Sequence, residues 1–174
     1  MFPEEDVRLD LLPDEAVTRH EGVLIELEFH YPDEWLEEDE ELIGHARDPF
    51  KRIDCRRTSR HIRVSIGGQA VADTRRAVAL FETNLPTRWY LPKEDLVAGY
   101  EPTTRSTRCP YKGSASYWSV GGNDDIAWSY EDPIGAAAAL RGLVAFYDEV
   151  VDVDLDGERQ ERGYSPFAKV GSNA

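Results

Sequence analysis

The sequence predicts a mostly-β domain. Three observations carry that expectation. Apolar residues alternate through residues 60–66, a Gly67-Gly68 pair separates that run from Ala70-Val71-Ala72, and an aromatic hairpin runs from Ser114 to Tyr130 around Gly121-Gly122-Asn123-Asp124. Strict alternation puts every second side chain on one face, which is the period of a half-buried strand. Paired glycines tolerate positive φ and so suit a tight hairpin turn.

The elements follow in order. Residues 17–31 alternate in part, with Val23, Ile25, Leu27 and Phe29 on the apolar side of a strand. The acidic stretch after them reads as strand or loop. Asp48-Pro49 marks a break, because the residue before proline avoids the helical region. From Ile53 the β signals are clearer. Arg60 to Ile66 sets Ile62, Val64 and Ile66 on one face, and Ala70-Val71-Ala72 returns as the partner strand. Ala77 to Glu82 and Thr87 to Leu91 are two more strands, joined by a turn at Asn84-Leu85-Pro86. Pro92 to Leu96 is a short helical turn, with proline tolerated near its start.

In the aromatic hairpin, a turn centred on Gly122-Asn123 sets Val120 against Asp125, Tyr117 against Trp128 and Ala115 against Tyr130. One side then carries Ala115, Tyr117, Ser119, Ile126, Trp128 and Tyr130. The other carries Ser116, Trp118, Val120, Ala127 and Ser129. A one-residue slip would exchange the two sets. Asp132-Pro133 starts a short helix, with Asp as cap and Pro at the first helical position, and Gly142 ends it. Leu143 to Tyr147 and Val150 to Leu155 complete the strands, and the chain from Asp156 reads as polar and loose.

Composition bounds the function classes. A chain of 174 residues that is 41% hydrophobic can bury one real core. No apolar run approaches the roughly 20 residues of a membrane span. The N-terminus, MFPEEDVRLD, lacks the apolar centre of a secretion signal, so a cytoplasmic location with no membrane partner is expected. The formal charge of -14 repels a phosphate backbone, so nucleic acid is not an expected partner. Scarce lysine and abundant arginine also fit a salt-adapted or high-GC source. The densest acidic run is Glu37-Glu38-Asp39-Glu40-Glu41, and basic residues concentrate between Arg47 and Lys112. Such a run is a solvated face or an interaction arm. An arm of that charge could fold onto the Arg-rich body or onto a neighbouring copy, as in a homodimer. Cys55 and Cys109 form no CxxC pair, and His20, His30, His45 and His61 are scattered. Neither a disulfide framework, a zinc site nor a cofactor is expected.

The chain divides by composition into an acidic extension over 1–50, a domain over 51–157 and a polar tail over 158–174. Two short echoes suggest that the extension is a truncated repeat. Phe2-Pro3-Glu4-Glu5-Asp6-Val7 matches Leu91-Pro92-Lys93-Glu94-Asp95-Leu96, and His30-Tyr31-Pro32-Asp33-Glu34-Trp35 loosely matches Phe146-Tyr147-Asp148-Glu149-Val150.

A longer ordered set of motifs begins at Ala72-Asp73-Thr74-Arg75-Arg76. It runs through Phe81-Glu82-Thr83, Leu85-Pro86-Thr87-Arg88-Trp89-Tyr90-Leu91-Pro92 and Thr107-Arg108-Cys109-Pro110-Tyr111-Lys112-Gly113. It continues through Tyr117-Trp118, Ala127-Trp128-Ser129-Tyr130, Asp132-Pro133 and Ala145-Phe146-Tyr147. In these motifs the chain resembles the bacterial and archaeal family called domain of unknown function 427, over roughly Arg60 to Asp156. The resemblance implies a β-tent, two antiparallel sheets meeting at an angle with one or two short helices. That architecture is shared with methionine sulfoxide reductase B and with Mss-four-like zinc proteins. Many of those hold zinc through two Cys pairs, which this chain lacks. The family is sometimes labelled nucleotidyltransferase-like. The expected signature, a Gly-Ser pair followed by a D-x-D carboxylate couple for magnesium, is not read here.

The candidate site lies where charges fall among aromatics. Tyr90, Tyr117, Trp118, Trp128 and Tyr130 either pack a core or line a pocket for a planar or cationic ligand. Aromatics on both faces of one hairpin favour a pocket on one of them. Cys109 has Arg108 and Lys112 beside it, which favours a reactive thiolate, but no histidine near it as a base, and the alternative is a buried, inert cysteine before proline. Lys112 is a candidate for anion binding or amine nucleophilicity, or for an ion pair with Glu82 or Asp95. Glu82 shares the face of Leu80, so it needs a buried partner, Lys112 or Arg88. The leading expectation is a small-molecule-binding domain, with catalysis left open, in which Tyr90, Tyr117, Trp118, Trp128 and Tyr130 line a pocket and Glu82, Arg88 and Lys112 orient the ligand. The alternatives are a zinc-free peptide-interaction module and a thiol or amine enzyme using Cys109 or Lys112, with Glu82 as a further catalytic candidate.

Overall fold

The computed structural model describes residues 47–165, together with the backbone of four short strands before them. These are β1 (Val17–Arg19), β2 (Ile25–Leu27), β3 (Trp35–Glu37) and β4 (Glu40–Leu42). The chain divides into two compact units, Met1–Trp35 and Leu36–Ala174. In the first, β1 and β2 pair antiparallel, with Thr18 opposite Glu26. Except for Trp35, the N-terminal residues of the suggested internal repeat lie outside the described ones.

The second unit holds β5 (Ile53–Arg57), β6 (Ile62–Ile66), β7 (Gln69–Thr74), β8 (Val78–Glu82), β9 (Arg88–Leu91), β10 (Tyr100–Cys109), β11 (Gly113–Val120), β12 (Asn123–Tyr130), β13 (Val144–Phe146), β14 (Asp152–Leu155) and β15 (Glu158–Arg159). They form two antiparallel sheets. One has seven strands in the order β10-β11-β12-β13-β9-β8-β5, the other four in the order β15-β14-β6-β7. Two short 3-10 turns, Lys93–Asp95 and Gly135–Leu140, accompany them. The mostly-β, two-sheet expectation therefore holds. No helix among the described residues is long and apolar enough to cross a membrane.

Alternation explains how the sheets meet. Ile62 and Val64 of β6 and Val153 and Leu155 of β14 point the same way and bury against Leu91, Val120, Ala127, Val144 and Phe146 of the large sheet. Each such side chain, taken fully out of water, contributes roughly 1.5–3 kcal/mol. The opposite face of the large sheet buries a second cluster, Val78, Leu80, Tyr90, Ala115, Tyr117, Tyr130 and Ala145, capped by Ala137 and Leu140 of the 3-10 turn.

Several expectations need correction. The 3-10 turn begins at Gly135, which has φ of 53°, and not at Asp132-Pro133. Asp132 is exposed and pairs with Arg141, 2.7 Å away, instead of capping. The chain after Asp156 is not loose at once, because Asp156-Gly157 turns it back and Asp154 pairs with Arg159 across β14 and β15. In the aromatic hairpin, Tyr117 does face Trp128 and Ala115 does face Tyr130. Val120, however, faces Asn123 and not Asp125. The turn is Gly121-Gly122, with φ of 58° and 78°, and the mismatch is absorbed at Asp125, which takes a positive φ of 51°. Ile126 also departs from its expected side, packing against the cluster that contains Ala127.

Candidate functional site

Lys112 owes its position to the turn between β10 and β11. Gly113 follows it with φ of 97°, and a Cβ there would sit 3.2 Å from the Asp132 carbonyl oxygen. The Ile134 amide donates to the Lys112 carbonyl at 3.2 Å. The turn is thereby held against residues 132–134, and only glycine allows the close approach. From there Lys112 Nζ donates to Glu82 Oε2 on β8. Four strand spacings, about 19 Å on a flat sheet, separate β11 from β8 in the sheet order. Direct contact therefore requires the seven-stranded sheet to curl over this face.

Glu82 receives a second cation. Lys51 Nζ lies 3.3 Å from Glu82 Oε1. The Glu82 side chain is 7% exposed and that of Lys112 10%. The cluster thus sets two ammonium groups against one carboxylate with little water. Glu82 needed a buried partner, and Lys112 supplies it. Asp95 does not: it pairs with Arg76 at 2.5 Å and accepts from Thr74. Cys55 is close enough for the Lys112 charge to act on it, yet burial dominates and pushes the Cys55 thiol up. Both cysteines are free and half-buried.

Most of the selected aromatics share this curled face. Trp128 donates its indole N–H to Tyr90 Oη at 3.1 Å, and the two rings meet edge-on with centroids 6.4 Å apart. Tyr130 lies 6.4 Å from Tyr90, centroid to centroid. Tyr117 exchanges a hydrogen bond with Thr107 at 3.1 Å and accepts another from Tyr147. Tyr90 and Tyr130 are almost fully buried. Burial raises both phenols well above the ordinary tyrosine range, and Glu82 and Cys109 are near enough to add to the rise. Tyr130 Oη makes no hydrogen bond among the described residues. Buried hydroxyls normally find a partner, so this one stands out.

Two selected residues are placed elsewhere. Trp118 projects to the opposite face, donates to Ser129 Oγ at 2.7 Å and carries Lys93 Nζ 3.9 Å from its ring centroid. The reason is parity: Trp118 is one residue from Tyr117 on the same strand. Arg88 lies under Trp128, 5.3 Å from the ring centroid, but does not pair with Glu82. It donates to Glu149 at 2.8 Å and to the Phe146 carbonyl at 3.0 Å, and lies 3.3 Å from Asp148. Burial works against the Arg88 charge, and the two carboxylates outweigh it, so its pKa is raised.

The two faces of the aromatic hairpin do not share one core. Each face feeds its own buried cluster. Two clefts, of about 360 Å³ and about 520 Å³, lie elsewhere and contain none of the selected site residues. Among the described residues no group of three or more His, Cys, Asp or Glu side chains is placed to hold a metal. Contrary to expectation, a Gly-Ser pair, Gly113-Ser114, is followed by a D-x-D couple at Asp152 and Asp154, whose carboxylates pair with Arg159 and Arg162.

Sequence reasoning missed Lys51, Asp148, Glu149 and Tyr147. The acidic pair had a signal, two carboxylates directly after the apolar run of β13. Burial pushes the Asp148 carboxyl up to about 6, against the pull of Arg88. Lys51 had none, because its partner is 31 residues away.

Residues 54–157 match the model of a family described as domain of unknown function (DUF427). No curated protein matches the chain.

Proposed function

As the chain belongs to the DUF427 family, whose description names no activity, we propose from its own residues that this β domain binds a small planar molecule bearing a carbonyl or carboxylate. The ligand would lie against the curled aromatic face, between Tyr130 and Lys112. The observation that carries the reading is the Tyr130 hydroxyl, 95% buried with its residue and without a hydrogen-bond partner among the described residues. Lys112 supports it. Its ammonium has three donors and, among the described residues, one hydrogen-bond acceptor, Glu82. Two lysines around one carboxylate leave the cluster with an excess of positive charge. The surplus of donors favours an acceptor-bearing ligand, and Tyr90, Trp128 and Tyr130 supply flat apolar surface.

The test is native mass spectrometry of the purified protein, followed by titration of benzoate and benzamide watched by ligand-observed NMR. Retention of a small acidic or carbonyl compound, and benzoate binding that weakens in Lys112→Met and Tyr130→Phe, are expected. A bare protein mass together with no binding of either probe would sink the reading.

A further inference from the structure

The other face of the large sheet carries a separate feature. Three tryptophans lie in the described core of the domain, and they differ in one respect. Trp118 has its indole N–H bonded to Ser129 and Lys93 over its ring. Trp128 has its N–H bonded to Tyr90 and Arg88 over its ring. Trp89 has neither. Among the described residues its N–H finds no acceptor and its ring no cation or aromatic partner. An indole face attracts cations, and its N–H seeks an acceptor when removed from water.

Trp89 lines a cleft of about 360 Å³ between the two sheets, with Phe81 and Pro86 on one side, Leu155 on the other and Asp148 and Glu161 at the polar margin. The tail closes in on Pro86, where a Cβ on Gly163 would lie 3.3 Å from Pro86 Cβ. The charges nearby are mostly negative. Arg88 must neutralise both Asp148 and Glu149. Arg60, also on the margin, is held by Asp156 at 2.7 Å, and Arg52, over the Phe81 ring, by Asp54 at 2.7 Å. Glu161 has no ion pair among the described residues. Asp148 takes the longest of the Arg88 contacts, at 3.3 Å, and its side chain keeps 16% of its exposure, toward the cleft it lines.

We propose that this cleft is a binding site for a small organic cation, an ammonium or guanidinium carried on an apolar body, which stacks on Trp89 and pairs with Asp148. The apolar wall takes the body of the ligand, the indole face takes its charge, and Asp148 accepts its N–H. A desolvated cation–aromatic contact favours the charged form, so loss of the charge should weaken binding by at least roughly tenfold.

The experiment titrates phenethylammonium into the full chain, with phenethyl alcohol as its uncharged counterpart and phenylacetate as an anion. Binding is read from the ¹⁵N-indole resonance of Trp89, identified by its loss in Trp89→Phe. Phenethylammonium is expected to move that resonance, and the alcohol and phenylacetate to bind at least about tenfold more weakly. Asp148→Asn, whose fold is checked by the unmoved indole resonance of Trp118, should lose affinity for the amine by a similar factor and leave the alcohol unaffected. Equal affinity for amine and alcohol, unchanged amine affinity in Asp148→Asn, or a Trp89 resonance that stays still up to the solubility of the probe would each overturn the proposal. Benzoate, the probe for the curled face, should leave the Trp89 resonance in place, so the two readings stand or fall separately.

Discussion

Lys112 and Glu82 form a buried ion pair across the curled face of the seven-stranded sheet, although three strands, β12, β13 and β9, lie between theirs in the hydrogen-bonding order. The pair ties the β10–β11 turn to β8. Removing one partner leaves the other charge in a poorly hydrated place, which is the costly way to break such a pair. Lys112→Met should destabilise the domain by about 3 kcal/mol, somewhat less if Lys51 compensates. Lys112→Met with Glu82→Gln should recover much of that loss. Urea denaturation of the single and double variants gives the coupling energy. A coupling near zero would mean that the contact does not hold the curl.

Arg88 and Asp148 set up a pH dependence. Burial gives Asp148 a folded pKa of about 6 against an ordinary 3.8, so between those values the folded state holds a proton that the unfolded chain has released. The contribution of this group to stability is therefore largest below 3.8 and falls as pH rises through about 6. Asp148→Asn removes the titration. Its stability relative to the parent should rise by about 2 kcal/mol between pH 4.5 and pH 7.5. Thermal unfolding at the two pH values measures the difference, and a gap that stays constant would contradict the raised pKa.

Arg88→Met leaves Asp148 and Glu149 buried together without their shared cation. It also strips the Phe146 carbonyl of a donor. A loss of about 3–5 kcal/mol at pH 7.5 is expected, shrinking as the pH falls and Asp148 takes up its proton. Chemical denaturation across that range would show a pH-independent loss if the arginine acted by packing alone.

Tyr130→Phe removes a buried hydroxyl that has no partner among the described residues. Deleting an unsatisfied polar group is neutral or stabilising, by about 1 kcal/mol here. The same substitution should weaken the binding of an acceptor-bearing ligand. Stability that rises while benzoate affinity falls is the signature of a functional hydroxyl. A fall in stability instead would mean that the hydroxyl already has a partner in the folded chain.

Cys55 should be slow to react, because burial pushes its thiol up and away from the thiolate form. Iodoacetamide at neutral pH should modify Cys55 at least about tenfold more slowly in the folded protein than in urea. Peptide mapping of a time course gives its rate separately from that of Cys109. Fast labelling of Cys55 in the native state would show that β5, at the edge of the large sheet, opens readily.

The local pattern already contained the inner strands. Ile62 and Val64 alternate with polar neighbours because one face of β6 meets the core, and the pairing of Tyr117 with Trp128 was legible, although the bulge at Asp125 that restores it beyond the Gly121-Gly122 turn was not. The pairing need of Glu82 was also legible, since a carboxylate on the face of Leu80 cannot stay alone. The strand β10, the longest among the described residues, was not. It reads Tyr-Glu-Pro-Thr-Thr-Arg-Ser-Thr-Arg-Cys with no apolar alternation, and it sits at a sheet edge where exposure removes that signal and Pro102 is tolerated.

By itself, then, the sequence determined the β class and the residue types that needed partners, because these depend on neighbours a few positions apart. Which partner each charge took was decided only by the tertiary structure. Lys112 met Glu82 because the sheet curls, Arg88 turned to Asp148 and Glu149 because β13 lies beside β9, and Trp118 parted from Tyr117 because adjacent residues of a strand face opposite sides. Contacts made across a sheet leave no trace in local spacing, since the chain between them sets only how far they can reach.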